Sequence, residues 1–362
     1  DDCMCGNYEM TIDPHKKDAL IHVPGTALTT YQQMGQSGNR GKDQLGDGPG
    51  SATNQGKQFD LIERMAKLEA PPQIKFKDLE SFLVTSKILT GPPFLFDVRT
   101  DYVKVTNDTV LVPVTIQIHN RDITFKTEDG VATGKVNIFG RISNINHRVL
   151  QTFEDTVEVS VPSELLARSQ NDAKVYWKAL PLPPGLYKLE IAIKDVNNTD
   201  HVGTWKRSIN VPKYDDDRLS ASSLILASRM ERVSSKEIGQ GNFVIGDTHL
   251  TPRVPPEYNA PVTFRRDQNL SFWMQVYNLG IDDKSKHNGA TVQYQVVNTV
   301  NNQTILQAEE QTDRLNPNSD QVTLERTMPL ASLDPGKYKI VINVDDGISK
   351  QQITESAPFN VD

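Results

Sequence analysis

The sequence predicts an all-β protein: two tandem immunoglobulin-like antiparallel β-sandwiches, preceded by a loop-rich N-terminal segment with a short helix. Three observations predict it. Apolar residues alternate with polar ones at a period of two through most of the chain after about residue 90, the alternating runs are short and separated by turn residues, and several recur in the same order further on. A period of two gives a strand one buried and one wet face, and many short strands without intervening helices fit a sandwich.

Residues 1–85 read as an extended N-terminal segment. The stretch "GQSGNRGKDQLGDGPGSATNQGKQ" from Gly35 contains one large aliphatic side chain, Leu45. Too little apolar surface is present to offset the entropy of ordering, so it reads as a mobile loop or linker. In "QFDLIERMAKLEAPP", Phe59, Ile62, Met65, Ala66 and Glu69 share one helical face beside Leu61 and Leu68, and Pro71 and Pro72 end the pattern. Such a short amphipathic helix needs a neighbouring domain to pack on.

Residues 86–213 read as the first sandwich. Phe94, Phe96 and Val98 alternate with Leu95 and Asp97, and Val112, Val114, Ile116 and Ile118 alternate with Pro113, Thr115, Gln117 and His119. "KVNIFGRISN", "VLQTFEDTVEVSVP", "KVYWKALPL", "GLYKLEIAIKDV" and "VGTWKRSINVP" follow as strands, and "PSELLARSQNDA" reads as a helical turn crossing between sheets.

Residues 214–362 read as the second sandwich because they repeat the first. "LSFWMQVYN" from Leu270 matches "VPVTIQIHN" from Val112, and Val292 falls on Val136. "LPPGLYKLEIAIKDVNN" from Leu182 recurs as "LDPGKYKIVINVDDGIS" from Leu333, aligning Gly185, Tyr187, Lys188 and Asp195 with Gly336, Tyr338, Lys339 and Asp346. Alternation puts Tyr187 on the core side with Leu189, Ile191 and Ile193, and Tyr338 takes the matching place. Segments recurring in order at a nearly fixed offset indicate a duplicated domain. Between the halves, the pieces at 224–226 and 243–245 read as short strands opening the second sandwich along its edge, with Pro252, Pro255 and Pro256 limiting further pairing.

Composition narrows the function classes. With 39 basic and 46 acidic residues spread along 362 positions, the net charge is −7, and no concentrated basic face for nucleic acid is evident. No apolar run is long enough to span a membrane as a helix. The chain starts at Asp1 without the basic-then-apolar layout of a signal peptide, which reads as a processed, truncated or internal start. Cys3 and Cys5, one residue apart, leave a strained ring, a metal ligand pair or free thiols open.

No constellation of catalytic residues emerges. His15, His22, His119, His147, His201, His249 and His287 form none of the usual metal spacings; His119 sits in a strand pattern and the others in loops. "GQGNFVIG" from Gly239 lacks the companions of a phosphate loop and reads as a glycine-rich strand entry. Asp215, Asp216 and Asp217 at the junction, with Asp282, Asp283, Asp345 and Asp346 in loops, are either calcium ligands or solvated turn formers. Trp177, Trp205 and Trp273 read as sandwich core rather than as a glycan platform. Sequons stand at Asn107, Asn197, Asn269 and Asn302.

Several segments together, among them "DPHKKDALIHVPGTALTTYQQMG", "APPQIKFKDLES", "FDVRTDYVKVTNDTVLVPVTIQIHN", "VNIFGRIS", "QTFEDTVEVSVP", "KALPLPPGLYKLEIAIKDV", "GTWKRSINVP", "LSASSLILAS" and "GNFVIGD", resemble the region that follows the GWxTD domain in bacterial GWxTD domain-containing proteins of acidobacterial type. The resemblance runs closely from Asn7 to Asp247 and more loosely beyond. The motif itself is absent. The resemblance implies a secreted, periplasmic or outer-envelope location and brings no catalytic residue.

The sequence therefore predicts a non-enzymatic extracytoplasmic structural or interaction protein without cofactor, its tandem domains acting as spacer or docking surface for protein partners or for self-association. The alternative is a glycan- or calcium-binding accessory module of a larger secreted protein.

Overall fold

The computed structural model describes residues 74–85, 92–233, 243–257 and 260–362. The helix expected at 58–72, the glycine-rich stretch and both cysteines lie outside them. The described part is mostly strand.

In the first half, strands β1 (Asp97–Thr100), β2 (Val103–Thr106), β3 (Thr109–His119), β4 (Lys126–Glu128), β5 (Val131–Asn144), β6 (Val149–Pro162), β7 (Ala173–Leu182), β8 (Gly185–Asp195) and β9 (Val202–Val211) form two sheets. Strand β3 is the centre of one. Strands β1 and β2 lie end to end along one edge, with Val98 opposite Ile116 and Val103 opposite Leu111, and β7 lies along the other with Val114 opposite Lys178. The second sheet runs β6-β5-β8-β9, with β4 beside the start of β5. Alternate residues from both sheets meet in one core: Val110, Val112, Val114, Ile116 and Ile118 of β3 pack with Ile138, Ile142, Leu189, Ile191 and Ile193. Each such side chain stabilises the fold by about 1.5–3 kcal/mol through burial. The turn at 163–165 carries the chain from one sheet to the other, as the sequence predicts.

In the second half, strands β10 (Ser220–Ala221), β11 (Ile225–Arg232), β12 (Val244–Ile245), β13 (Thr248–Pro252), β14 (Val262–Phe264), β15 (Asn269–Tyr277), β16 (Ala290–Asn298), β17 (Thr304–Gln311), β18 (Val322–Pro329), β19 (Gly336–Asp346) and β20 (Gln351–Val361) repeat that plan. Strand β15 is flanked by β10 and the start of β11 on one edge and by β18 on the other. The facing sheet runs β17-β16-β19-β20, and β14 adds in parallel to the end of β20. Phe272, Met274, Val292, Val296, Ile340, Ile342 and Phe359 join one core from both sheets.

The ladders correct the sequence alignment of the repeat. Asn144 stands opposite Tyr187 and Asn298 opposite Tyr338, so Val136 corresponds to Ala290, two residues before the match at Val292. The two asparagines confirm it chemically, since each side-chain oxygen accepts backbone N–H groups of its own hairpin turn: Asn144 from Asn146 and Arg148, Asn298 from Val300 and Asn301.

Helix α1 (Lys77–Thr85) is an element the sequence reading did not single out. Leu79, Phe82 and Leu83 at helical spacing form its apolar face, and Leu79 and Leu83 bury against Phe139, Ala192 and Val202 on the outside of the second sheet. Glu154 accepts the N–H groups of Lys75 at 2.9 Å and Phe76 at 2.7 Å, and Lys206 donates to the Leu83 carbonyl at 2.8 Å. An anion at the first turn and a cation at the last complement the helix dipole.

Candidate functional site: the junction between the sandwiches

The two sandwiches pack through the outward faces of the sheets built on β3 and β15. On β3, Leu111 points away from the core that Val110 and Val112 fill; on β7, Trp177 and Ala179 do the same. These residues and Val103 meet Ile225, Ala227 and Trp273 of the second half, with Ile245 and Leu250, in a separate apolar cluster. Trp177 and Trp273 are 4% and 1% exposed. They are buried, as the sequence predicts, but between the sandwiches instead of between the sheets of one. Their strand positions face outward, and only a second domain covers that face. Trp205 is half-buried against the first core, with the Arg207 guanidinium 5.5 Å from its ring.

Much of that cover comes from an arm. Strand β11 begins on β15 and then transfers to β13, which pairs in turn with β12. Phe243 on this arm lies 6.0 Å from the Trp177 ring. The piece at 243–245 therefore forms the outer strand on the edge of the second sandwich's sheet, as the sequence predicts, and also lies over the first sandwich, while Pro252, opposite Ala227, is the last paired residue of β13. Gly246, at positive φ, lies in the two-residue turn that joins β12 to β13 as a hairpin; the glycines expected at the strand entry before Phe243 lie outside the described residues. His249 is likewise within β13, not in a loop.

Polar groups fix the register of the junction. Arg99 grips Asp101 with two hydrogen bonds of 2.8 Å and donates to the carbonyls of Leu224 at 3.1 Å and Arg253 at 3.3 Å. Burial alone lowers a guanidinium's pKa, but the Asp101 carboxylate overcomes it and raises that of Arg99. Tyr102 and Ser223 exchange hydrogen bonds at 2.9 Å. Tyr277, at the end of β15, packs with the core of the first sandwich, accepts from the Lys104 N–H at 3.1 Å and lies edge-on to Tyr214. Burial raises both tyrosine pKa values.

A groove of about 500 Å³ opens beside this contact, between the connecting segment 212–221 and strand β20. Tyr214, Leu219, Ala221 and Ile353 form its apolar wall, and Glu355 lies inside it. Burial raises the Glu355 pKa, and among the described residues no hydrogen-bond or ion-pair partner meets its carboxylate.

No family model and no curated protein matches the chain. Among solved structures, a Bacteroides uniformis β-glucuronidase is similar over 32% of this chain and 13% of its own, at 11% identity and a TM-score of 0.23. A Parabacteroides merdae β-glucuronidase with glycerol in its active site covers 69% of this chain, 28% of its own, at 10% identity and a TM-score of 0.25. Red sea bream transglutaminase covers 81% and 34%, at 9% identity and a TM-score of 0.21. The chain thus spans about a third or less of each of these proteins, and likeness at this level assigns it no activity.

The acidic candidates disperse into local roles. Asp195 and Asp346 are fully buried, and each closes the turn after its strand: Asp195 accepts from Asn197, Asn198 and Thr124, Asp346 from Ile348, Ser349 and Gly280. Asp282 accepts from Lys284 and Ser285, which lowers its pKa. Asp215 pairs with Lys213, and Asp216 with Lys104. Among the described residues, no three His, Cys, Asp or Glu side chains converge as metal ligands would. What sequence reasoning missed is Glu355, whose alternation with Ile353 and Phe359 places a carboxylate on the inner face of β20.

Proposed function

We propose that the chain is a non-enzymatic extracytoplasmic protein in which two immunoglobulin-like sandwiches are fused into one rigid element that spaces and docks proteins in an envelope or extracellular assembly. The immunoglobulin-like reading is supported by the strand order of each sandwich and by a duplicated tyrosine corner. Tyr187 donates to the Pro183 carbonyl at 2.9 Å and Tyr338 to the Asp334 carbonyl at 2.8 Å, each four residues upstream at the turn into β8 or β19. The extracytoplasmic location and the kinship with the region after a GWxTD domain rest on the sequence resemblance.

The observation that carries the reading is the junction itself. Tandem domains joined by a bare linker move independently by default; here an arm, two buried tryptophans and the Arg99–Asp101 pair tie them. A fixed spacing of binding faces is what a spacer or scaffold needs. Crosslinking in the native envelope or extracellular fraction tests it: recovery of the chain covalently joined to a defined protein partner supports the proposal. A compact monomer without any partner, or a cytoplasmic chain, overturns it.

A further inference from the structure

Corresponding positions of the two sandwiches point to a docking seam. Strands β9 and β20 are equivalent: Trp205 stands opposite Ile191, and Glu355 opposite Ile342. In the first sandwich this seam, where the outer edges of the two sheets approach each other, is filled. Trp205 packs on the core, and an extended segment crosses the edge of β9, with the Phe94 N–H donating to the Val202 carbonyl at 3.1 Å and the Phe94 ring buried. Gly203 permits the crossing, since a Cβ there would meet the Phe94 carbonyl oxygen at 2.0 Å.

In the second sandwich the same seam is the groove. Strand β10 is only two residues long, so it leaves the edge of β20 uncovered, and β14 reaches only Phe359, Asn360 and Val361. Asp362 donates to Phe264 and accepts from Arg266 on that edge. The alternation of a strand then directs the N–H groups of Gln352, Thr354 and Ser356 outward, and none of them bonds to another strand among the described residues. Pro358, which has no N–H to leave unpaired, follows in the same row. Where the first sandwich has Trp205, the carboxylate of Glu355 stands among Tyr214, Leu219 and Ile353 with no ion pair of its own among the described residues; of the two cations that also line the groove, Lys213 pairs with Asp215, and Arg218 makes no ion pair with Glu355.

We propose that this seam is a docking site for an extended segment of a partner protein bearing a lysine or arginine, which adds to the free edge of β20 and places its cation against Glu355. The proposal rests on the docking role above and names the kind of partner. Backbone pairing supplies affinity and alternate side chains supply selectivity in strand addition. An inward carboxylate on an edge strand deters indiscriminate pairing, and a cationic side chain turns that deterrent into a preference. In the first sandwich the chain's own residues 92–96 show that an extended segment seats at this place.

The test uses the full chain labelled with ¹⁵N and two capped peptides of alternating valine and threonine, one with a central lysine and one with a central glutamate. The lysine peptide is expected to shift the amides of Gln352, Thr354 and Ser356 and to bind at least about tenfold more tightly than the glutamate peptide. Glu355→Gln, which keeps the shape of the side chain, is expected to bring that ratio below about twofold while the spectrum stays folded. Equal binding of the two peptides, shifts confined to other strands, or no binding overturns the proposal. Slow hydrogen exchange of those three amides in the free chain also overturns it, because the edge is then covered by the chain's own residues. A partner crosslinked elsewhere leaves the general docking role standing and removes only this seam.

Discussion

The two sandwiches share a strand order and differ in what covers the same sheet. In the first, Phe139, Ala192 and Val202 form an apolar patch under helix α1; the equivalent positions in the second are Gln293, Asn343 and Gln352, and that face is open. At the seam, Trp205 closes the first sandwich and Glu355 leaves the second unsealed. The two sandwiches share their internal devices, namely the inward tyrosines bonded to the turn before their strand and the buried aspartates that close the turns after β8 and β19, and differ at outward positions. The first sandwich is thereby enclosed by its own chain on two sides, by α1 and by the arm, and the second keeps its free surfaces.

The comparison breaks most visibly at the tryptophans. Trp273→Ala empties a site lined by both sandwiches and is expected to cost about 4 kcal/mol in denaturant unfolding, with the two halves then unfolding in separate transitions. Phe139→Gln gives the first sandwich the residue type of the second; it is expected to cost about 3 kcal/mol and to abolish hydrogen-exchange protection in α1, because nine residues without a docking face do not hold a helix. Retained protection there contradicts the assignment of the patch. Tyr187→Phe and Tyr338→Phe are each expected to cost about 1 kcal/mol and to add when combined, since they lie in different cores. A loss in one sandwich alone would show that only one corner matters to stability.

Much of this was legible in the sequence because it is local. Val112 to Ile118 and the two Pro-Gly strand starts carry their facing in the period-two pattern, so the all-β plan, the repeat and the inward Tyr187 follow from it. Trp177 and Trp273 also carry their facing, but burial on that outward face depends on the other sandwich and is not a property of either strand. The match between Val136 and Val292 missed by two residues because a slip of two keeps every side chain on its own face, so the period-two pattern does not distinguish the two alignments. Helix α1 escaped because "KDLESFLVT" offers only two and a half turns of pattern, and its anchors Glu154 and Lys206 lie far along the chain.

The smallest effects are in acid response, where the sandwiches have opposite signs. Glu190 in the first is buried, which raises its pKa, but hydrogen bonds from Lys188 and Arg141 outweigh this and lower it below the ordinary 4.5. Its contribution is complete above the unfolded value and is lost as pH falls through the folded one. Glu355 in the second is raised above 4.5 by burial, so its contribution is present at low pH and is lost as pH rises through its folded value. Stability of Glu190→Gln is therefore expected to trail the native protein above about pH 5 and converge with it in acid. Glu355→Gln is expected to be slightly more stable than the native protein at neutral pH, and the gain to vanish below about pH 4. Identical pH profiles for the two variants would contradict the assignment of opposite environments.

The claim on which the rest depends is that the two sandwiches form one rigid body. It is tested most directly by pulsed electron paramagnetic resonance between spin labels at the exposed positions Glu164 and Gln307, one on each sandwich, with Cys3 and Cys5 replaced by serine. A single narrow distance distribution that broadens on combining Arg99→Ala with Trp273→Ala is the predicted result. A broad distribution in the otherwise native chain would contradict the account.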